Sequence, residues 1–432
     1  MQLAAWIGLC VIVSFALRRR MVVTITLIIA LRIFVPSIAS AVVVGRTPSS
    51  LAFHPAVWLI GSTLAVSLLA HAAALARTVA RHVFLVLVLV LVVSVAALTT
   101  KTSLSGHGIV LLVDQVAAPV GLFILIVTTC RTDRRAFRTI RNALLGLAAA
   151  SAVLAIAQWL TNSVIFYGGY YVNYYWFLYR GFDRWMATLD HPLTLSLFLC
   201  LAAPLTVGLS RTWLRVGLLA LSMTAVVITQ SRTGVIVMGL TVVYAIFRSR
   251  ASSLAKAAMY SILGISTLAL AASPVAAGIM ARFQNDTGSA AARAAAYQFF
   301  FDNWTQFFFT GDGVTSSYRI AQAAGLGTSL ENSFLMYSVD IGIVFTSLYF
   351  GSQLFIVLRG PGRSPVPGLA VASVLALVLP HTYSALAAAS AVGMLLWTIL
   401  GLVVASFDVS HEPEPPGSCD VVRSASESAL VG

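Results

Sequence analysis

Charged side chains are scarce in this 432-residue chain, where Asp, Glu, Lys and Arg together make up 9% of the residues. Hydrophobic residues make up 59%, and the mean hydropathy is +0.93. A water-soluble domain cannot bury so much apolar surface, so the composition predicts a protein whose main solvent is lipid. The net charge of +13 does not indicate nucleic acid as a partner, because basic residues in a membrane protein first report its orientation.

Cysteine is also scarce. The four cysteines are scattered, with neither the spacing of metal ligands nor that of a disulfide framework: Cys10, Cys130, Cys200 and Cys419. We therefore expect no metal site and no cofactor. The N-terminus has no basic stretch before its first apolar run, so we expect a retained span rather than a cleaved signal peptide.

Apolar runs long enough to cross a bilayer, at about 20 residues each, recur through the chain. They cover residues 2–17, 21–40, 55–76, 82–100, 108–130, 142–160, 190–209, 213–229, 233–247, 257–276, 332–358, 367–384 and 388–406. The sequence therefore predicts an all-α fold, a polytopic transmembrane helical bundle of about 12–13 helices over residues 1–406. Two connections are long, residues 161–189 and 277–331, and residues 407–432 form a Pro-, Ser- and Glu-rich tail that we expect to be disordered.

The connections between spans differ in basic residues, and this difference predicts the orientation of the chain. One alternating set of short connections holds 17 of them: Arg18, Arg19, Arg20, Arg77, Arg81, Arg131, Arg134, Arg135, Arg138, Arg141, Arg211, Arg215, Arg248, Arg250, Lys256, Arg359 and Arg363. The opposite set holds eight, in much longer segments: Arg46, Lys101, Arg180, Arg184, Arg232, Arg282, Arg293 and Arg319. Cytoplasmic loops carry the excess of Lys and Arg, so the first set is predicted to be cytoplasmic. Both long loops then face outside, and the C-terminal tail is cytoplasmic.

Arg232 lies in a short turn, TQSRTG at residues 229–234, between two predicted spans at the outer surface. One interpretation is a snorkelling arginine that anchors a helix end at the lipid headgroups. The other is an anion site, because the turn is polar, Gly234 permits close backbone approach and a helix begins here. A guanidinium beside the free N–H groups of a helix N-terminus suits a phosphate.

A second outside arginine, Arg293, lies in the Ala-rich stretch GSAAARAAAYQFFFDNW. This stretch is predicted to be helical, with Arg293, Tyr297, Phe300 and Trp304 on one face. Its dense aromatic residues suit a helix in the membrane interface, where Arg293 would either anchor to lipid phosphate or serve a site.

The chain then forms a turn at Gly311-Asp312-Gly313 and re-enters the membrane at Glu331-Asn332. At that edge the Glu331 carboxylate is predicted to act as a general base or to pair with an outside arginine. Asn332 is predicted to orient a polar ligand or to cap the following helix.

The first long loop carries nine aromatic residues between Phe166 and Tyr179, typical of either an interface belt or a sugar-stacking wall. Four polar residues that follow are predicted to contact the substrate: Arg180, Arg184, Asp190 and His191. Inside the predicted spans, Arg32 and Asp114 are predicted to form a structural pair, because an ionisable group in a membrane needs a partner.

The order of these motifs resembles the O-antigen ligase/polymerase superfamily of integral membrane glycosyltransferases of the GT-C type. DHP opens a helix at 190–192, TQSRTG follows two spans later, and a long outside loop holds an arginine, GDG and LENSFL…VDIG. The resemblance covers roughly residues 180–360, and the N-terminal spans match only in hydropathy. By position, the arginine of the family's short turn falls on Arg232 and that of its long loop on Arg293.

The sequence departs from the ligases at one position, where Glu331 stands in place of a usual histidine before the re-entry asparagine. That departure leaves the polymerase branch, or a relative acting on another surface polysaccharide, more open.

The resemblance implies a metal-independent inverting glycosyltransferase in the bacterial cytoplasmic (inner) membrane, with its active site facing outside. The donor would be a glycan on undecaprenyl pyrophosphate, and the acceptor a glycan or lipid-linked sugar. Arg232 and Arg293 would stabilise charge that develops on the pyrophosphate. Glu331, helped by Asn332, would take the proton of the acceptor hydroxyl.

Other classes of protein stay open. A transporter or flippase of a lipid-linked or anionic substrate would also use many helices and outside arginines. A peptidoglycan polymerase of the shape-and-division family has a related layout, and a non-catalytic scaffold is a further alternative.

Overall fold

The computed structural model describes residues 1–45, 51–102, 107–171, 184–249, 287–326, 329–360, 366–383 and 385–410, with scattered residues between 252 and 264. Within them the chain is helical and contains no strand. The longer helices, in chain order, are α1 (Gln2–Ala16), α2 (Met21–Phe34), α3 (Pro55–Ala70), α4 (Ala72–Arg81), α5 (Val83–Thr102), α6 (Gly108–Thr132), α7 (Arg135–Thr161), α8 (Pro192–Gly208), α9 (Thr212–Ile228), α10 (Arg232–Phe247), α11 (Thr287–Asn303), α12 (Ser316–Ala323), α13 (Ser333–Ile341), α14 (Ile343–Arg359), α15 (Leu369–Thr382) and α16 (Val392–Ser410).

Several of these helices are candidates to cross a membrane. α5, α6 and α7 are each long and apolar enough, and the number rises to five if two bent pairs of helices each count as one span. Further apolar helices of 10–17 residues coincide with predicted spans but are shorter than the roughly 20 residues that a bilayer core needs. The predicted span 257–276 lies almost wholly outside the described residues.

Two predicted spans bend by more than 40° in the structure, and a third, 332–358, is interrupted at Gly342. The run 21–40 divides after Phe34 into α2 and a second segment, Ser37–Val44, at an angle of 93°. Pro36 lies at this break, where it has no N–H to continue the helix. The run 55–76 divides into α3 and α4 at 106°. Hydropathy alone missed both bends because the apolar run continues through them.

Four helix starts are capped by side chains, and these starts carry several predicted site residues. His54, His191, Ser231 and Asn332 each accept a hydrogen bond from a backbone N–H two or three residues ahead. Such caps satisfy donors that a helix N-terminus leaves over. The polar residues that interrupt the apolar sequence thus fix where α3, α8, α10 and α13 begin.

The long loop that precedes α13 is itself folded and locked onto α13. The Ala-rich stretch forms α11, as predicted, although the helix ends at Asn303 before the last aromatic residues. In the GDG turn, the N–H groups of Asp312 and Gly313 donate to the carbonyls of Val339 and Asp340, at 3.1 and 2.9 Å. The side chain of Asp340 is buried, and its carboxylate accepts from the N–H of Ser317 at 2.8 Å. This bond fixes the start of α12 against α13.

Basic connections that the sequence assigns to one side of the membrane meet at one end of the bundle. Asp408 near the end of α16 is buried, and its carboxylate lies 3.1 Å from Arg81 Nε, 2.9 Å from His82 Nε2 and 3.6 Å from Arg131 Nε. The guanidinium of Arg359 lies over the Phe407 ring, 6.0 Å from its centroid. α4, α6, α14 and α16 therefore end on the same side.

The predicted pair within the spans is confirmed. Arg32 Nη1 lies 4.0 Å from Asp114 Oδ2, and both side chains are buried. Arg32 Nη2 also donates to the Ser390 carbonyl, and the His54 N–H donates to Asp114 at 3.3 Å. Asp114 sits in a π-helical turn of α6, Val113–Ala117. Such turns widen a helix locally and here place a carboxylate beside Arg32.

Candidate functional site

The turn that carries Arg232 is tight. α9 ends at Ile228, Gln230 adopts the left-handed conformation with φ of 52°, and Arg232 is the first residue of α10. The Ser231 hydroxyl caps α10 by accepting from the Gly234 N–H at 3.1 Å. A Cβ at Gly234 would lie 1.8 Å from Ser196 Oγ on α8, so glycine permits α8 and α10 to approach this closely. Arg232 is thus partly buried at the N-terminus of a helix that is capped by a side chain.

Arg184 supports this turn rather than standing apart from it. Its Nε donates to the Thr229 carbonyl at 2.9 Å, and the residue is 8% exposed. Thr229 is the last residue before the left-handed Gln230. The end of the first long loop is therefore bonded to the turn that holds Arg232.

Arg293 and Glu331 form an ion pair between the long loop and the re-entry point. Arg293 Nε donates to Glu331 Oε2 at 3.1 Å, and the two side chains are 47% and 21% exposed. Of the two roles predicted for Glu331, pairing with an arginine is the one observed in this conformation, and the arginine is Arg293 of the long loop. Glu331 itself has a left-handed backbone with φ of 48°, an uncommon state for a residue with a side chain.

Asn332 extends the same cluster. Its Oδ1 accepts from the Phe334 N–H at 2.8 Å, so the predicted cap is observed. Its Nδ2 donates to the His381 carbonyl at 3.1 Å and lies 3.4 Å from the Tyr297 hydroxyl. Tyr297 lies four residues after Arg293 on α11, so the helix touches the start of α13 at two successive turns.

His191 caps the start of α8 and packs against Tyr383. Its Nδ1 accepts from the Leu193 N–H at 3.0 Å, and its ring stacks on Tyr383 with centroids 6.0 Å apart. The Tyr383 carbonyl accepts from the Ser333 hydroxyl at 3.2 Å, next to Asn332. The start of α8 therefore contacts the segment that supports the start of α13.

Asp190 does not join this cluster. Its two carboxylate oxygens accept from the N–H groups of Ser37 and Ile38, at 2.9 and 3.1 Å, and the residue is buried. Both oxygens thus bind the start of the short 3₁₀ turn, Ser37–Ala39, that follows α2, and a contact with substrate stays a prediction. Arg180 lies outside the described residues, as do most of the nine aromatic residues that precede it.

The structure thus gives two groups at one end of the bundle. Arg293, Glu331 and Asn332 form one, and Arg232 and Arg184 form the other. α8 lies close to both, because His191 stacks on Tyr383 and Ser196 approaches Gly234. Chemically, they provide two guanidinium groups that suit oxyanions and one carboxylate that can take a proton. Among the described residues, no group of three or more His, Cys, Asp and Glu could hold a metal ion.

Two residues of this site were missed at the level of sequence. His381 and Tyr383 lie in LPHTYS, which ends a predicted span. Their only signal was a short polar interruption in an apolar run. His381 supplies the carbonyl that fixes Asn332, and Tyr383 supplies the ring beneath His191.

Comparison with known proteins assigns no family to this arrangement. No family model matches the chain, and no curated protein is similar to it.

Proposed function

We propose that the protein is a membrane glycosyltransferase that transfers or polymerises a glycan carried on a lipid pyrophosphate. The observation that carries the proposal is the Arg293–Glu331 pair, held at the start of α13 by Asn332. On the same end of the bundle, Arg232 begins α10 in a capped turn. Two cations for a leaving anion and one carboxylate for a proton are the groups that such a transfer requires.

The chemistry follows from these groups. Pyrophosphate is already a good leaving group, so the largest effect of the protein is to stabilise charge as the bond from the anomeric carbon to the phosphate oxygen breaks. Arg232 and Arg293 would hold that charge without a metal. Glu331 would accept the proton of the acceptor hydroxyl, whose oxygen bonds to the anomeric carbon, and direct attack would invert that centre.

The same proposal includes a location. We infer that the end around Asp408, where Arg81, Arg131 and Arg359 lie, faces the cytoplasm and that the C-terminus lies on the same side. The ends bearing Arg232 and Arg293 then face the outside of a bacterial cytoplasmic membrane. A glycan on undecaprenyl pyrophosphate would reach them there, and both a polymerase and a ligase fit this placement.

A reconstituted assay tests the proposal. The purified protein in vesicles is given a lipid-pyrophosphate-linked glycan and an acceptor glycan, and product length is measured. We expect longer glycan from the wild type and at least a hundredfold loss with Arg293→Ala, as for removal of a group that stabilises transition-state charge, roughly 10²–10³-fold. Arg319→Ala is the matched control, because Arg319 is an exposed arginine of the same loop on α12.

The two possible failures of this assay differ in meaning. If the wild-type protein does not lengthen the glycan from any lipid-linked donor, the proposed glycan transfer is refuted. If Arg293→Ala and Arg319→Ala lower the transfer activity equally, Arg293 has no specific role in the reaction.

A transporter or flippase is the second candidate, and one observation favours it. The buried Arg32–Asp114 pair lies beside the break in α2 and the π-helical turn in α6. Transporters bind their substrates at such discontinuous helices, with charged groups turned inward. Movement of a labelled lipid-linked glycan across the vesicle membrane, without any increase in its length, would favour this class.

A further inference from the structure

We propose that Glu331 is a built-in competitor for the anion site at Arg293, so that binding of the donor itself releases the base. The inference rests on the proposed function. In the structure Glu331 Oε2 accepts from Nε of Arg293, the guanidinium that the proposed function assigns to the pyrophosphate. While this bond is made, the carboxylate is oriented by the guanidinium and not by an acceptor hydroxyl.

The pair is built to exchange. A guanidinium has several N–H donors in a planar fork, and this bond uses only Nε. With 47% and 21% of the side chains exposed, water reaches both partners. Exposed ion pairs of this kind are weak, whereas a pyrophosphate offers several oxygens and more charge to the same guanidinium.

The backbones on both sides of the pair are held by other bonds, so the exchange needs only side-chain rotation. Asn332, next to Glu331, caps α13 and donates to the His381 carbonyl at 3.1 Å. Ser333 donates to the Pro380 carbonyl at 2.7 Å. On α11, Tyr297 keeps its contact with Asn332 one turn away from Arg293.

The exchange gives an order of events. The pyrophosphate of the donor takes the N–H donors of Arg293, and the Glu331 carboxylate turns away. That carboxylate then accepts the acceptor's proton as the acceptor oxygen bonds to the anomeric carbon. The bond to the phosphate oxygen breaks with its electron pair on the pyrophosphate. Loss of the proton to water restores a charged Glu331, which returns to Arg293 and helps to expel the lipid pyrophosphate.

Binding of inorganic pyrophosphate tests the competition without any transfer reaction. Titration calorimetry is done on the purified protein in nanodiscs of zwitterionic phosphatidylcholine. Removing an exposed carboxylate competitor by Glu331→Gln should tighten binding about 1.4- to 5-fold, the ratio that the roughly 0.2–1 kcal/mol of an exposed pair allows. Arg293→Ala should weaken it at least tenfold.

Asp302→Asn is the matched control, because it removes the same charge from an exposed position on α11, the helix of Arg293. It should leave pyrophosphate affinity unchanged. An affinity unchanged by Glu331→Gln, or raised equally by Asp302→Asn, would overturn the competition. Equal binding by wild type and Arg293→Ala would overturn the anion site itself. Because the glycan assay is separate, competition without glycan transfer would refute the proposed function and the release of a base, and would leave only the competition between Glu331 and an anion for Arg293.

Discussion

The four arginines that are buried among the described residues, Arg32, Arg141, Arg184 and Arg215, all donate to backbone carbonyls. Arg184 donates to the Thr229 carbonyl, Arg141 to that of Gly208, and Arg215 to that of Leu209. A guanidinium with several donors can fix the irregular end of a helix, where carbonyls have no partner within the helix. Arg293 differs, because its side chain is half exposed and its partner is a carboxylate.

Arg184→Ala should loosen the turn that holds Arg232. It leaves the Thr229 carbonyl without its buried donor, which costs about 1–3 kcal/mol. We expect a lower thermal unfolding temperature in detergent and a loss of glycan transfer. Arg211→Ala is the control, since Arg211 is exposed at the start of α9 on the opposite end of that helix. Unchanged stability with Arg184→Ala would show that the turn does not depend on this bond.

Individual site residues were only partly predictable from sequence. Glu331 and Asn332 were recognised because a carboxylate and an amide at the start of an apolar run have few possible roles. Asp190 was assigned to substrate, yet its carboxylate binds the N–H groups of Ser37 and Ile38 about 150 residues earlier. No local pattern indicates a bond of that sequence separation, and the same holds for the contact between Asn332 and His381.

The junction between the GDG turn and the break from α13 to α14 is the tightest contact of the long loop. A Cβ on Gly311 would lie 2.3 Å from the carbonyl carbon of Asp340, and one on Gly342 would lie 2.5 Å from the Phe309 carbonyl oxygen. Gly342 also has a φ of 97°, which a residue with a side chain rarely adopts. GDG and VDIG, which first suggested a site, therefore join the loop to the bundle.

Gly311→Ala should separate the two segments. The methyl group meets backbone atoms that cannot rotate away, and such overpacking costs about 1–3 kcal/mol. We expect a lower unfolding temperature and faster proteolysis within the loop. Gly351→Ala in α14 is the control, because a Cβ there meets nothing within 4 Å and helix propensity even favours alanine. Equal behaviour of the two variants would contradict the close approach.

Helices were predicted well by hydropathy and their interruptions were not. The predicted spans 82–100, 213–229 and 233–247 agree with α5, α9 and α10 to within a few residues, because apolar runs are a local property. The span 332–358 continued through Gly342, and 21–40 through Pro36. A single Gly or Pro inside an apolar run is tolerated in many membrane helices, so the bend becomes visible only with its packing partner.

Across the whole molecule, the two ends of the bundle differ in their chemistry. One end collects Arg81, His82 and Arg131 around the buried Asp408. The other carries the capped starts of α8, α10 and α13 with Arg232, Arg293 and Glu331. Between these ends, Arg32 and Asp114 form a buried pair, and the buried carboxylates of Asp190 and Asp340 accept from backbone N–H groups. We propose that glycan transfer takes place at the second end.

Helix α10 offers the most direct test, because it has an arginine at each end: Arg232 begins it and Arg248 follows its last residue. Cells that carry only Arg232→Ala or only Arg248→Ala are compared by sizing their surface glycan, with membrane levels of both proteins matched. We predict that Arg232→Ala abolishes normal glycan and that Arg248→Ala leaves it unchanged. Normal glycan in cells that depend on Arg232→Ala would contradict the account.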